Sequence, residues 1–168
     1  VIREARFHVG MDAPAHEFMG QIEQESRCDA GVTAFDGGQG LGQFMPKTAD
    51  WIHAREKPLR DISETPLPYD PRWSIRALIL YDATLFDQVL CRSWHFAYRA
   101  YNGGAGNLNK EIRRAKSCDP DTVSGFCSRK VIKTKWSPLD LCRVNCDYPE
   151  LIKNRAIKYK ERTPWISE

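Results

Sequence analysis

Phe18, Ile22 and Glu25 follow one another at spacings of four and three, which sets a carboxylate on the same helical face as two core side chains. That period commits the segment to a helix, and an acid on its apolar face is either a liability or a working group. Asp12 reads as the N-cap of this helix, with Pro14 in its first turn. A glycine-rich turn follows, Gly37-Gly38-Gln39-Gly40-Leu41-Gly42-Gln43, and a second helix opens at Pro46 and runs through Ala49, Trp51 and Ile52 toward Glu56.

Helical signals continue along the chain. Residues 57–69 hold three Pro and read as a loop, after which Asp70-Pro71 caps a long helix to about Leu90. Trp73, Ala77, Leu80, Thr84 and Leu85 fall near one face of it. Another helix covers residues 93–102 and stops at Gly103-Gly104, where glycines favour a helix exit. Residues 107–116 predict a short basic helix, and Asp147-Tyr148-Pro149-Glu150 resembles a capping box opening a last helix to about Lys160. Alternating period-2 runs are nearly absent. The predicted fold class is mainly α, with room for a small hairpin in the loops.

At 168 residues the chain is most simply one domain, 1–168. Residues 117–147 read as an irregular, cysteine-rich insertion within it. The longest apolar run, residues 77–81, is too short to span a bilayer. Residues 1–9 are charged and lack the apolar stretch of a signal peptide, and the start at Val1 is compatible with prior removal of a leader or anchor.

Six cysteines are many for a cytosolic enzyme. Cys118, Cys127, Cys142 and Cys146 crowd one segment, without a C-x-x-C pair or a nearby His, so the close ligand spacing of structural zinc is missing. Disulfides and an oxidising compartment are the favoured reading, with Cys28 and Cys91 open as buried free thiols. The expected location is therefore outside the cytoplasm, in the periplasm or cell wall.

Charge is uneven. Residues 1–106 carry eleven Lys and Arg against fourteen Asp and Glu, and residues 107–168 carry fourteen against eight. A basic second half suits an anionic cell-envelope surface as well as it suits a solvated helical face. Lys153, Arg155, Lys158, Lys160 and Arg162 make membrane disruption conceivable as an auxiliary action beside a modest apolar face. No recognition motif accompanies the charge, so nucleic acid is not the expected partner. The four His show no spacing for a metal or a triad and read as packed or surface side chains. No cofactor or metal is expected.

Cleaving a glycosidic bond requires a proton for the leaving oxygen while positive charge develops at the anomeric carbon. A Glu on an apolar helix face holds that proton near neutral pH, because desolvation disfavours the carboxylate. Glu25 fits by position; an isolated helix-end Glu would more simply turn to solvent or pair with Arg27. The glycine-rich run lets backbone approach a sugar closely, and it lacks the Lys-Ser/Thr ending of a phosphate loop. Gln43 adds an amide that both donates and accepts. Tyr101 and Asn102, at the end of their helix, add a phenol and a second amide, although alone they would be a core Tyr and a C-cap.

Glu25-Ser26, GLGQFMPKTA at 40–49, DPRWSIRA at 70–77 and AYNGGAGNL at 100–108 occur in the order and approximate spacing of the lytic transglycosylases and goose-type lysozymes, enzymes of bacterial peptidoglycan, and the chain resembles that family. The last helix, from Tyr148 through Ile152 to Tyr159, is similar to the family's closing element. The resemblance covers most of the chain outside the cysteine-rich insertion and implies an α-rich, lysozyme-like fold. It implies that Glu25 is the catalytic acid and base, and that Ser26, Gly40, Gln43, Met45, Tyr101 and Asn102 orient it or contact the glycan. Gly42 stands where the family usually has Met, which alters how the cleft is packed, and Ala34 or Thr33 stands where a Ser commonly precedes the turn. The combination looks most like the endolysins encoded in bacteriophage lysis modules, which are bacteriolytic glycosidases.

Two reactions follow from the resemblance. A lytic transglycosylase uses one Glu twice and closes a 1,6-anhydro ring on N-acetylmuramic acid; a muramidase delivers water, usually with a second carboxylate. Phe44-Met45 offers none after Gln43, which leaves Asp36 as the candidate, with Asp29 and Asp50 behind it. Asp36-Gly37 reads more simply as a tight turn. Transglycosylation by a monomer acting on glycan strands is the expectation, hydrolysis by Glu25 with Asp36 the runner-up. A wall-binding protein without catalysis is the third reading, opposed by the cost of seating an acid on an apolar face.

Overall fold

The computed structural model describes residues 1–127, 131–133 and 138–162, with the side chains of residues 133, 161 and 162 outside that description. In order, the elements are α1 (Ile2–His8), α2 (Ala15–Ser26), α3 (Pro46–Arg55), α4 (Lys57–Arg60), α5 (Pro71–Gln88), α6 (Trp94–Gly103), α7 (Ala105–Ala115), α8 (Pro120–Ser124), β1 (Val131–Lys133), β2 (Pro138–Asp140) and α9 (Leu141–Arg162). The mainly α class is found as expected. The hairpin falls in the cysteine-rich segment, where β1 and β2 pair antiparallel with Ile132 opposite Leu139. None of the described helices is long and apolar enough to cross a membrane.

The described residues form two compact units, 1–81 with 151–162, and 82–150. The first is built on fully buried Phe18, Phe44, Ile52, Leu59 and Trp73, joined by Ile152 from α9. Phe44 meets the Trp73 ring edge-on, with centroids 5.7 Å apart. His53 is packed rather than ligating: its Nδ1 accepts from the Trp73 indole at 3.2 Å, and its Nε2 lies 3.2 Å from the Glu64 carbonyl. The second unit is built on Leu85, Phe96, Tyr98, Leu108, Ile112 and Val123 around a fully buried Arg99. Arg99 is neutralised there by Glu111 at 2.9 Å and accepted by Ser124 Oγ at 3.3 Å, which is what a buried guanidinium requires.

Several boundaries differ from expectation, each for a local reason. Pro14, not Asp12, holds the N-cap of α2, and its carbonyl accepts from Phe18 at 3.1 Å. Asp70 caps α5 as predicted, accepting from Trp73 N at 2.8 Å. The short helix expected over 107–116 runs instead from Ala105 to Ala115: Gly104, at φ 84°, closes α6 and starts α7 in a single step. The last helix starts at Leu141, because the Asp140 carboxylate accepts from the backbone of Cys142 and Arg143 at 3.0 and 3.2 Å. Pro149 therefore lies inside α9 rather than in its first turn.

Cys91 pairs with Cys118 and Cys127 with Cys142, leaving Cys28 and Cys146 as thiols among the described residues. Cys91 is thus not a free thiol: its partner Cys118 lies 27 residues on, with α6 and α7 between them in the sequence.

Candidate active site

Glu25 sits in the last turn of α2, half-buried, one residue from a buried Ser26. The Ser26 hydroxyl donates back to the Ile22 carbonyl at 3.0 Å, which satisfies it within the helix and fixes its rotamer. Immediately after, Arg27 at φ 55° and Cys28 at φ 66° take two consecutive left-handed steps. They end the helix abruptly, and the Arg27 amide closes it on Glu23 O at 3.0 Å. Glu25 is therefore carried on a rigid helix end rather than on a loop. Glu23, two residues earlier, has a separate task. It accepts from Tyr159 at 2.8 Å, Lys158 at 2.8 Å and Arg155 at 3.3 Å, and the Lys158 ammonium holds its carboxyl below the usual range. An open groove of about 480 Å³ lined by Glu23, Leu151, Arg155 and Lys158 contains none of the predicted site residues.

The glycine-rich turn is a closed backbone structure. Gln39 and Phe44 exchange hydrogen bonds at 3.1 and 3.0 Å, and Gly40 N donates to Val32 O at 3.0 Å. Gly40, at φ 65°, lies so close to the 57–69 segment that a Cβ would stand 1.7 Å from Pro68 O. Leu41 and Phe44 anchor the turn in the core. Gly42, the position lacking the family's Met, donates its amide to Ser74 Oγ at 3.2 Å. Thr33 and Tyr69 share a hydroxyl contact at 2.8 Å that ties the turn to the same neighbouring segment.

Gln43, at φ 49°, commits its side-chain NH2 to the turn, donating to Gly40 O at 2.7 Å and to Val32 O at 3.4 Å. With both protons used, the amide offers a ligand its carbonyl oxygen alone. Met45 is exposed at the N-cap of α3, its Cε 3.9 Å from where a Gly37 Cβ would be. Asp36 is exposed and accepts from Gly38 N at 3.2 Å, the turn role weighed for it above. Phe35 beside it is 94 % exposed.

In the second unit, Tyr101 is half-buried and Asn102 exposed in the last turn of α6. The Asn102 Oδ1 accepts from Asn145 Nδ2 at 3.3 Å. Asn145 was not singled out from the sequence. It lies in the stretch without clear periodicity, and a capping motif expected two residues later drew the helix start away from it.

The model of the transglycosylase SLT domain family matches residues 11–123, about two-thirds of the chain. The match begins before α2, spans the Glu25-Ser26 pair, the glycine-rich turn and the 100–108 motif, and ends in α8. No curated protein matches the chain. With a mainly helical, lysozyme-like fold beneath those motifs, this chain belongs to the transglycosylase SLT domain family, whose enzymes act on the peptidoglycan of the cell wall.

Proposed function

We propose that the protein cleaves the β-1,4 bond between N-acetylmuramic acid and N-acetylglucosamine by lytic transglycosylation, with Glu25 as the single acid and base. Glu25 first gives its proton to the leaving glycosidic oxygen. As the C1–O bond breaks, the substrate's N-acetyl group supports the positive charge at C1. The carboxylate then takes the proton of the C6 hydroxyl, whose oxygen attacks C1 and closes the 1,6-anhydro ring. The proton returns to Glu25 and no water is consumed. The observation that carries this reading is a carboxylate on the last, abruptly terminated turn of α2, followed by the closed turn that ends in Gln43. Ser26, Gly40, Gln43, Met45, Tyr101 and Asn102 are the proposed glycan-contacting or orienting positions.

Asp36 is the residue a hydrolytic muramidase would use, and its engagement with Gly38 N favours transglycosylation over that alternative. We infer that the chain acts as one catalytic domain, because the family match runs from the first compact unit into the second, with 117–147 a cysteine-rich insertion within it. Two disulfides support action in an oxidising compartment, at the periplasmic or outer wall. The biological setting we propose is lysis of a host by a bacteriophage, on the resemblance of GLGQFMPKTA, DPRW and AYNGG to lysis enzymes, with the protein working as a monomer. Attraction of the basic second half to an anionic envelope is a secondary part of the proposal. Arg155 and Lys158 are partly neutralised by Glu23, which weakens membrane disruption as the main activity. The Arg162 side chain lies outside the described residues.

Mass spectrometry of soluble products from purified peptidoglycan tests the reading. Glycans ending in 1,6-anhydro-N-acetylmuramic acid, absent with Glu25→Gln, are expected. Reducing ends one water heavier would make the enzyme a muramidase, and release of no glycan would leave a wall-binding protein.

A further inference from the structure

An asparagine amide is nearly symmetric in shape, so its two ends are told apart only by what faces them. Around Asn145 the two groups of Arg99 are unambiguous. The guanidinium of Arg99 can only donate, and its Nε lies 3.3 Å from one end of the Asn145 amide, which must be the oxygen. The main-chain carbonyl of Arg99 can only accept, and it lies 2.7 Å from the other end, which must be the NH2. Arg99 is itself immobilised by Glu111 at 2.9 Å and Ser124 at 3.3 Å, with its side chain fully buried. Asn145 is 8 % exposed, and Gly103 leaves it the space: a Cβ there would stand 2.4 Å from Asn145 Nδ2.

The orientation propagates. The same Asn145 NH2 reaches Asn102 at 3.3 Å, so the atom of Asn102 that faces it is the acceptor Oδ1. Asn102 is exposed, and with its oxygen engaged, its own NH2 is the end left for a ligand. A chain from Glu111 through Arg99 and Asn145 thus decides which face of the Asn102 amide is presented.

We propose that Asn145 is a positioning residue that locks Asn102 as a hydrogen-bond donor, selecting a carbonyl acceptor on the glycan such as an acetamido oxygen. The inference rests on Asn102 contacting the glycan, and deepens that reading.

Asn145→Asp tests it in the whole chain. Aspartate keeps the shape and the acceptor for Arg99 Nε but has no donor; it gives up the bond to the Arg99 carbonyl, and the Asn102 amide turns over to give its NH2 to Asp and presents oxygen outward. On soluble N-acetylated glycan strands, Asn145→Asp is expected to lower kcat/KM roughly tenfold, mainly through KM, the size of one lost hydrogen bond. Asn102→Ala should cost about the same, and the double variant no more than either alone. The penalty should largely vanish on strands whose amino sugars are de-N-acetylated. Should Asn145→Asp lose its cooperative thermal transition, Asn145→Ser, too short to reach Asn102, carries the same expectation. A folded Asn145 variant with unchanged KM, or losses that multiply in the double variant, overturns the inference. Full activity of Asn102→Ala overturns the glycan-contact reading instead.

Discussion

Gly20 of α2 and Ala156 of α9 touch backbone to backbone: a Cβ at position 20 would stand 2.9 Å from Ala156 N, 3.1 Å from Ala156 Cβ and 2.5 Å from Ile152 O. No side chain fits between them, so the helix that carries Glu25 is seated on α9 by the absence of one. Gly20→Ala is predicted to destabilise the protein, although alanine favours helix by about 1 kcal/mol. The overpacking cost of about 1–3 kcal/mol exceeds that gain only where neither backbone yields, as two main chains do not. The measurement is thermal unfolding, with a Tm lower by several degrees expected. A higher Tm would mean that the two helices separate easily.

Gly40→Ala and Gly104→Ala form a matched pair. Both glycines have positive φ, 65° and 84°, but Gly40 faces Pro68 O at 1.7 Å from an added Cβ while Gly104 has nothing within 4 Å. Backbone strain alone costs about 1–2 kcal/mol, so Gly104→Ala is expected to fall in that range. Gly40→Ala must in addition displace the 57–69 segment, and is expected to lose wall-degrading activity at temperatures where it is still folded. Equal effects on Tm and activity in the two variants would show that the close approach does not matter.

Much of this was legible in the sequence because the signals were local. The buried Phe18 and Ile22 of α2, the Asp70 cap and the glycine-rich turn depend on neighbours within a few residues, and each is found where its spacing places it. Gln43 was legible as a site candidate but not as an amide with both donors spent, since Val32 lies eleven residues away. Partnerships over long separations were invisible for the same reason. Arg99 with Asn145, 46 residues apart, and Gly20 with Ala156 exist only once the fold assembles them. Cys91 was misjudged because its partner is 27 residues off, beyond any local motif. The true start of α9 was hidden by a second, stronger-looking capping pattern at Asp147.

Acid should weaken the first unit through one cluster. Arg76 donates to Glu4 at 2.7 Å and holds its carboxyl below the usual value of 4.5. Burial, reinforced by Arg76, pushes His8 below its ordinary 6.5. In both cases the unfolded chain binds the proton more readily, so stability rises with pH across these windows. The Glu4 contribution is complete above about pH 4.5 and is lost as pH falls through its lower folded value; the His8 penalty develops as pH falls below 6.5. Urea midpoints from pH 7 to pH 3 should decline. Glu4→Gln should flatten the acid end of that curve, and an unchanged slope would remove Glu4 from the account.

The two disulfides should be separable by chemistry. Closing a 27-residue separation is worth about 3–4 kcal/mol on the chain-entropy model, so Cys91→Ser with Cys118→Ser is expected to lower Tm by roughly 6–16 °C. Peptide mapping at acid pH should find Cys91–Cys118 and Cys127–Cys142, with alkylation confined to Cys28 and Cys146. The Cys127, Cys142 and Cys146 sulfurs lie within 4.8 Å of one another, so mapping at alkaline pH should show Cys146 exchanging into the second bridge. A Cys146 that never exchanges would show that its thiolate is shielded from the neighbouring pair.

Asp36 decides between the two reactions. Its carboxylate accepts from Gly38 N at 3.2 Å, a bond that an asparagine oxygen reproduces without the charge. If Asp36 serves only the turn, Asp36→Asn should keep activity within about twofold and still release anhydro products. A water-activating base cannot be neutralised so cheaply, and its loss typically costs about 10²–10⁴-fold. Glu25→Gln should show a loss of that size in the same assay, because the one group that both gives and takes the proton is gone. A large loss at Asp36 with reducing-end products would transfer the second half of the reaction from the sugar's own hydroxyl to water.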